Sequence, residues 1–183
     1  LFNTSNVTRL TIDSSGNSTF AGNILLDGTN QIHFLPQAGE SNTEAMRILR
    51  SGDLMYFTYG TNSQDTAMVI DSSGNVGIST TPSDWGWYID KALQFSNGTF
   101  IAGRTDSTPA LNMGTNSYVT ATGGNAWRYY AAGKASRYFQ QLGSHTFQTA
   151  TDGAAAGDAI TWATSMAIDS SGNTTFAGDV TVG

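Results

Sequence analysis

One eight-residue segment recurs through this chain and limits what it can fold into more than any other feature. It reads Leu10-Thr11-Ile12-Asp13-Ser14-Ser15-Gly16-Asn17, then Met68-Val69-Ile70-Asp71-Ser72-Ser73-Gly74-Asn75, then Met166-Ala167-Ile168-Asp169-Ser170-Ser171-Gly172-Asn173. A degenerate fourth copy, Met46-Arg47-Ile48-Leu49-Arg50-Ser51-Gly52-Asp53, aligns without gaps. Before the turn, apolar residues alternate with others at period two, the pattern of a half-buried strand. At the turn, an Asp side chain can accept hydrogen bonds from the backbone ahead of it, and a Gly takes a positive φ without a Cβ clash. Asp13, Gly16, Asp71, Gly74, Asp169 and Gly172 are therefore expected to be structural turn residues, with Gly52 and Asp53 serving in the fourth copy. The alternation resumes at Val76 and Ile78 and at Phe20 and Phe176. The outer copies also share Thr-Phe-Ala-Gly followed by Asn23-Ile24 or Asp179-Val180. Each unit reads as a strand–turn–strand hairpin.

Composition supports an ordered all-β chain. Charged residues make up 12% of the 183 residues, about half the usual share. Aromatics reach 11% and include four tryptophans, whereas disordered chains are charge-rich and poor in rings. Aromatic, β-branched and turn residues together predict short strands joined by tight turns.

Several function classes lose support at this level. The net charge is −6 and the eight Lys and Arg never cluster, so no basic footprint for nucleic acid is present. No apolar run approaches the length that spans a bilayer, and no membrane insertion is expected. With no cysteine and only His33 and His145, neither disulfides nor a structural zinc site is expected. The chain starts at Leu1 without a signal-like segment and reads as a piece of something longer.

A lone hairpin is marginal, so the repeats must bury their apolar faces somewhere. A monomeric solenoid would space its units evenly, but these Ile positions fall at 12, 48, 70 and 168. Unequal spacing favours burial against other chains, as in a parallel homotrimer around an axis. Monomeric sandwich and solenoid arrangements remain as alternatives.

The string Ile70-Asp71-Ser72-Ser73-Gly74-Asn75-Val76-Gly77-Ile78-Ser79-Thr80-Thr81-Pro82 resembles a shaft element of phage tail-fibre and tail-spike proteins, marine phages especially. Ser79 stands where such elements usually carry Gly. Three segments resemble an insert found in similar fibres: Asn125-Ala126-Trp127-Arg128-Tyr129-Tyr130, Ala135-Ser136-Arg137-Tyr138, and Ser144-His145-Thr146-Phe147-Gln148-Thr149-Ala150. The resemblance implies a trimeric shaft, a virion location that is extracellular in action, other tail proteins as partners, and attachment to the host surface. In related fibres a self-cleaving chaperone domain often succeeds the shaft; none is visible in this sequence.

The organisation expected is a repeat-bearing shaft over 1–82, an aromatic-rich β insert over 83–164, and a returning shaft repeat over 165–183. Strands are expected at Ile24-Leu25-Leu26, at Met46–Arg50 and Met55–Tyr59 around a Ser51-Gly52-Asp53 turn, and at Val180-Thr181-Val182. Glu44–Arg50 could alternatively form a helical turn. The insert holds most of the aromatic residues, in the clusters Trp85-Gly86-Trp87-Tyr88 and Trp127-Arg128-Tyr129-Tyr130, with Arg137-Tyr138-Phe139 close behind. Rings stack on sugars, and Arg and Tyr hydrogen-bond hydroxyls and acidic groups. Trp85, Trp87, Tyr88, Trp127, Arg128, Tyr129, Tyr130, Arg137 and Tyr138 are thus the candidate contacts for a host-surface glycan. The competing expectation is core packing, since neighbours in a strand point to opposite faces.

Catalysis finds little support. Four of the fourteen acidic residues, Asp13, Asp53, Asp71 and Asp169, sit in repeat turns, and the only glutamates are Glu40 and Glu44. Neither histidine lies beside a nucleophile motif, and no phosphate-cradling loop or His-Glu zinc motif occurs. One carboxylate per turn is too little charge for calcium. No cofactor or catalytic residue is expected. The alternatives are a polysaccharide-degrading tail spike and a non-viral bacterial surface adhesin.

Overall fold

The computed structural model describes residues 2–4, 7–21, 24, 31–34, 46–60, 65–86, 89, 91–104, 108–120, 126–153 and 155–181. Two units divide it, Leu1–Gln31 and Ile32–Gly183. Among the described residues the regular elements are strands, apart from one 3-10 turn at Ser96–Gly98. The chain is all-β.

In the first unit β1 (Phe2–Thr4), β2 (Val7–Ile12) and β3 (Ser18–Phe20) form an antiparallel sheet in that order. The second unit carries a twelve-stranded sheet. One edge is β4 (Gln31–Phe34), followed by β5 (Met46–Ser51), β6 (Leu54–Tyr59), β7 (Asp65–Ile70) and β8 (Val76–Ile78). The sheet continues through β9 (Lys91–Phe95), β10 (Thr99–Arg104) and β11 (Ala110–Thr115). It ends with β14 (Gly133–Gln141), β15 (Ser144–Gly153), β16 (Ala163–Ile168) and the opposite edge, β17 (Thr174–Phe176). From β5 to β17 every neighbouring pair is antiparallel except β8–β9. A separate ribbon pairs β12 (Ser117–Val119) with β13 (Trp127–Tyr129).

The three near-identical repeats build one turn three times. In each, the Gly N–H donates to the Asp carbonyl, and the Asp N–H donates to the Asn carbonyl, at 2.9–3.1 Å. This is a three-residue hairpin loop whose last residue is left-handed, a conformation that glycine adopts without a Cβ clash. Gly16, Gly74 and Gly172 have φ of +84°, +80° and +86°. The Asp Oδ1 accepts the N–H groups two and four residues ahead, while Oδ2 accepts the Asn side-chain amide, all at 2.8–2.9 Å.

The fourth copy turns differently. Leu49 stands at the aspartate position and has nothing to offer the backbone, so β5 runs on through Ser51, which pairs with Leu54. A two-residue loop remains, with positive φ at Gly52 alone, as in a type II′ hairpin. Asp53 therefore organises no turn. Its carboxylate only approaches Arg50, at 3.7 Å, with both side chains largely in solvent.

Other expectations also change. The boundaries placed at 82/83 and 164/165 fall inside the twelve-stranded sheet, because β9, β10, β11, β14 and β15 pair in series with the repeat strands on either side. Residues 46–51 are strand rather than helix. Val180 and Thr181 are outside any strand and exposed, and no described residue pairs with the free edge of β17. Ile24 is likewise non-strand, and Leu25, Leu26 and Val182 lie outside the described residues.

Three connections cover one face of the sheet. The crossover demanded by the parallel β8–β9 pair runs over residues 79–90, about the dozen residues such a link requires, and delivers Trp85 and Ile89. The β12–β13 ribbon supplies Val119 and Trp127, and the stretch before β16 supplies Ile160 and Trp162. Under them lie Ala92, Phe100 and Ala102 from the sheet itself. Phe100 is the hub, its ring centroid 5.1 Å from that of Trp85 and 5.5 Å from that of Trp127.

Candidate functional site

The opposite face of the same strands has no such cover among the described residues. Residues directly paired across a sheet share a face, so the register defines rows. One row runs Phe176–Met166–Phe147–Tyr138–Met113 across β17, β16, β15, β14 and β11. It continues as Ile101–Leu93–Val76–Ile70–Met55 across β10, β9, β8, β7 and β6. All are apolar or aromatic, on ten successive strands. At the ordinary spacing of neighbouring strands the row is about 43 Å long. A second row, Ile48–Phe57–Met68–Ile78–Phe95, widens it across β5 to β9.

Along the first row Met55, Ile101, Met113, Phe147 and Phe176 are 38–49% exposed. Scattered exposed apolar residues need no explanation, but a contiguous strip on the order of several hundred Å² is uncommon on a monomer. Arg50, paired with Met55, ends the row with a charge. Between Met113, Tyr138 and Phe147 the face is hollowed into a cavity of about 320 Å³ bordered by Ser136, Thr149 and Ser165. Tyr138 and His145 share a hydrogen bond through the phenol and Nδ1, and their rings stack.

The candidate glycan contacts divide between the two faces and the loops. Trp85, Trp127 and Tyr129 are buried, a correction to their candidacy: their rings pack against Phe100 or Trp162 in the core. Tyr129 also donates its hydroxyl to the Thr151 carbonyl. Arg137 is held within this core, its guanidinium 4.6 Å from the Trp127 and Trp162 ring centroids, with Nε donating to Gln148 Oε1 at 2.6 Å. Arg128 and Tyr130 are half-buried, and Arg128 Nη1 donates to the Gly157 carbonyl. Only Tyr138 belongs to the open row. Trp87 and Tyr88 lie outside the described residues. No aromatic platform forms from the seven that are among the described residues.

The sequence reading missed Met55, Ile101, Met113 and Phe147. A signal was present, for β10 carries apolar residues on both parities, Phe100 and Ala102 facing one way and Ile101 the other. A strand of this kind is apolar on both faces.

Asn75 was also missed as more than a turn residue. Its Nδ2 donates to Asp71 Oδ2, which aims Oδ1 at the neighbouring strand, where it accepts the Ala92 N–H at 3.0 Å. Lys91 Nζ completes the joint on the Ser73 carbonyl at 2.8 Å. Among the described residues, no group of three His, Cys, Asp or Glu side chains is placed to hold a metal ion. No family model, curated protein or solved structure matches the chain.

Proposed function

We propose that this chain is a structural segment of a viral tail fibre or tail spike, acting as a parallel homotrimer that contributes to attachment at the host surface. The observation that carries the assembly is the apolar row across ten strands, left open while the other face of the same sheet is packed with tryptophans. Non-catalytic repeats suit a shaft, because short turns set by one Asp and one Gly hold strands without a cofactor. A rigid scaffold presenting the same surface three times would multiply weak contacts with glycan through avidity. The viral part of the reading rests on the resemblance of residues 70–82 and of the segments around Trp127, Tyr138 and Phe147 to tail-fibre elements.

Light scattering during size exclusion tests the assembly. Three chains of 19.3 kDa give about 58 kDa for a closed trimer, and Ile101→Lys with Met113→Lys should return the mass to one chain. A wild-type monomer at high concentration would overturn the reading. Adsorption of the assembled protein to host cells, and its loss in the dissociated variant, tests the attachment role.

A further inference from the structure

The three repeats are alike in their turns but not in what lies beside them. In the middle copy the outer edge of β8 is filled by the chain's own β9, running parallel, with Val76 opposite Leu93. The joint is made by the Asn75 side chain, which is buried and accepts a backbone N–H from that strand. In the last copy Asn173 is held in the same way, its Nδ2 on Asp169 Oδ2 at 2.9 Å. The backbone leaves the hairpin alike in both, Ala177 donating to Ser165 as Ser79 donates to Ala67, each at 3.0 Å. Yet Asn173 is exposed, β17 is the edge of the sheet, and Oδ1 has no donor among the described residues. The first copy repeats the state at Asn17, held by Asp13 at 2.8 Å and exposed.

The segments leaving the hairpins differ correspondingly. The two copies with open edges continue as Thr-Phe-Ala-Gly and then Asn23-Ile24 or Asp179-Val180, whereas the middle copy continues Ser79-Thr80-Thr81-Pro82 and supplies its own partner strand. Asp179, Val180 and Thr181 are exposed and pair with no described residue of their own chain, Val180 at 58%. An edge strand and an unpaired exposed segment in one repeat are complementary in a closed ring of copies, where each chain gives one and receives the other.

We infer that the edge of β17 takes up residues 179–181 of a second copy of this chain as a parallel strand, with one of their backbone N–H groups donating to Asn173 Oδ1. The repeat's asparagine is then a strand-receiving group, satisfied within the chain at Asn75 and between chains at Asn173. With Asp179 N–H as the donor, as Ala92 N–H is at Asn75, Val180 would stand opposite Thr174 as Leu93 stands opposite Val76, on the same face as Phe176. This inference rests on the multichain reading above, and its test is arranged so that the two fail separately.

Mass is measured over a dilution series for the wild type, Asn173→Ala, Val180→Pro and Asn75→Ala. Proline at 180 removes a backbone donor and disfavours strand pairing without breaking a pairing within the chain. Losing three equivalent hydrogen bonds, each worth roughly a factor of five, should weaken trimer association by about a hundredfold in Asn173→Ala. Val180→Pro should act in the same direction with unfolding of the dissociated chain close to wild type, while Asn173→Ala, which also loses the hydrogen bond to Asp169, should lower it only slightly. Asn75→Ala should instead lower the stability of the single chain at every concentration. A wild-type trimer unmoved by either Asn173→Ala or Val180→Pro overturns this inference and leaves the assembly reading standing. A wild-type monomer overturns both.

Discussion

Single residues in this chain do the work that strands usually share. Asp13 and Asp169 each take hydrogen bonds from an asparagine amide and from backbone N–H groups, with the Asn17 and Asn173 side chains the largest influence. These bonds favour the charged form and hold both carboxyls below the ordinary aspartate value of 3.8. A depressed folded-state value means the contribution to stability is complete above the unfolded value and fades as pH falls through 3.8 and below. Carboxyl titration by NMR should place both groups under 3.8, and Asp169→Asn should flatten that part of the acid limb. Two other positions work against the fold. Leu142, in the turn between β14 and β15, has φ +50° beside Gly143 at +75°, a two-residue turn that favours Asn-Gly. Leu142→Asn should raise stability by about 1 kcal/mol in urea unfolding. Ser79, at φ +54°, is a second non-glycine residue in the left-handed region. Ser79→Gly should gain less, about 0.5 kcal/mol, because glycine's freedom in the unfolded chain offsets part of the relieved strain.

At the level of elements, hairpins were legible and their neighbours were not. The Asp-Ser-Ser-Gly-Asn turns arise from local chemistry, so β2–β3, β7–β8 and β16–β17 could be read from the residues alone. The fourth copy shows the limit, because an alignment preserved Gly52 while the aspartate that sets the turn had become Leu49. Asp53→Ala should consequently leave stability unchanged within error, whereas Asp71→Ala should cost about 1–2 kcal/mol through three lost hydrogen bonds. Parallel pairing of β8 with β9 had no sequence signal, since it depends on a crossover and on the Asn75 side chain reaching Ala92. Packing of β15 under the β13 ribbon was equally hidden. A Cβ at Gly153 would sit 2.4–2.7 Å from three atoms of the buried Tyr129 ring, and neither backbone nor ring can retreat. Gly153→Ala should cost about 2 kcal/mol, read as a lower urea midpoint with an unchanged slope.

Across the whole sheet, adjacent residues have opposite fates. Phe100 is buried at the centre of the tryptophan cluster, and Ile101, next in the chain, points to the open row. Phe100→Ala should destabilise the single chain by about 3–5 kcal/mol. Ile101→Ala should barely move unfolding at low concentration and should weaken assembly at high concentration. Urea unfolding at two protein concentrations separates the two effects. By itself the sequence determined the class of structure, the three turns and the strand periodicity, because those depend on residues within a few positions of each other. It also placed Trp85, Trp127 and Tyr138 in one candidate group. Only the tertiary structure decided that the first two lie in the core and the third on the uncovered face. Period two tells which residues of a strand point together; which of the two directions is covered depends on three connections that arrive from distant parts of the chain.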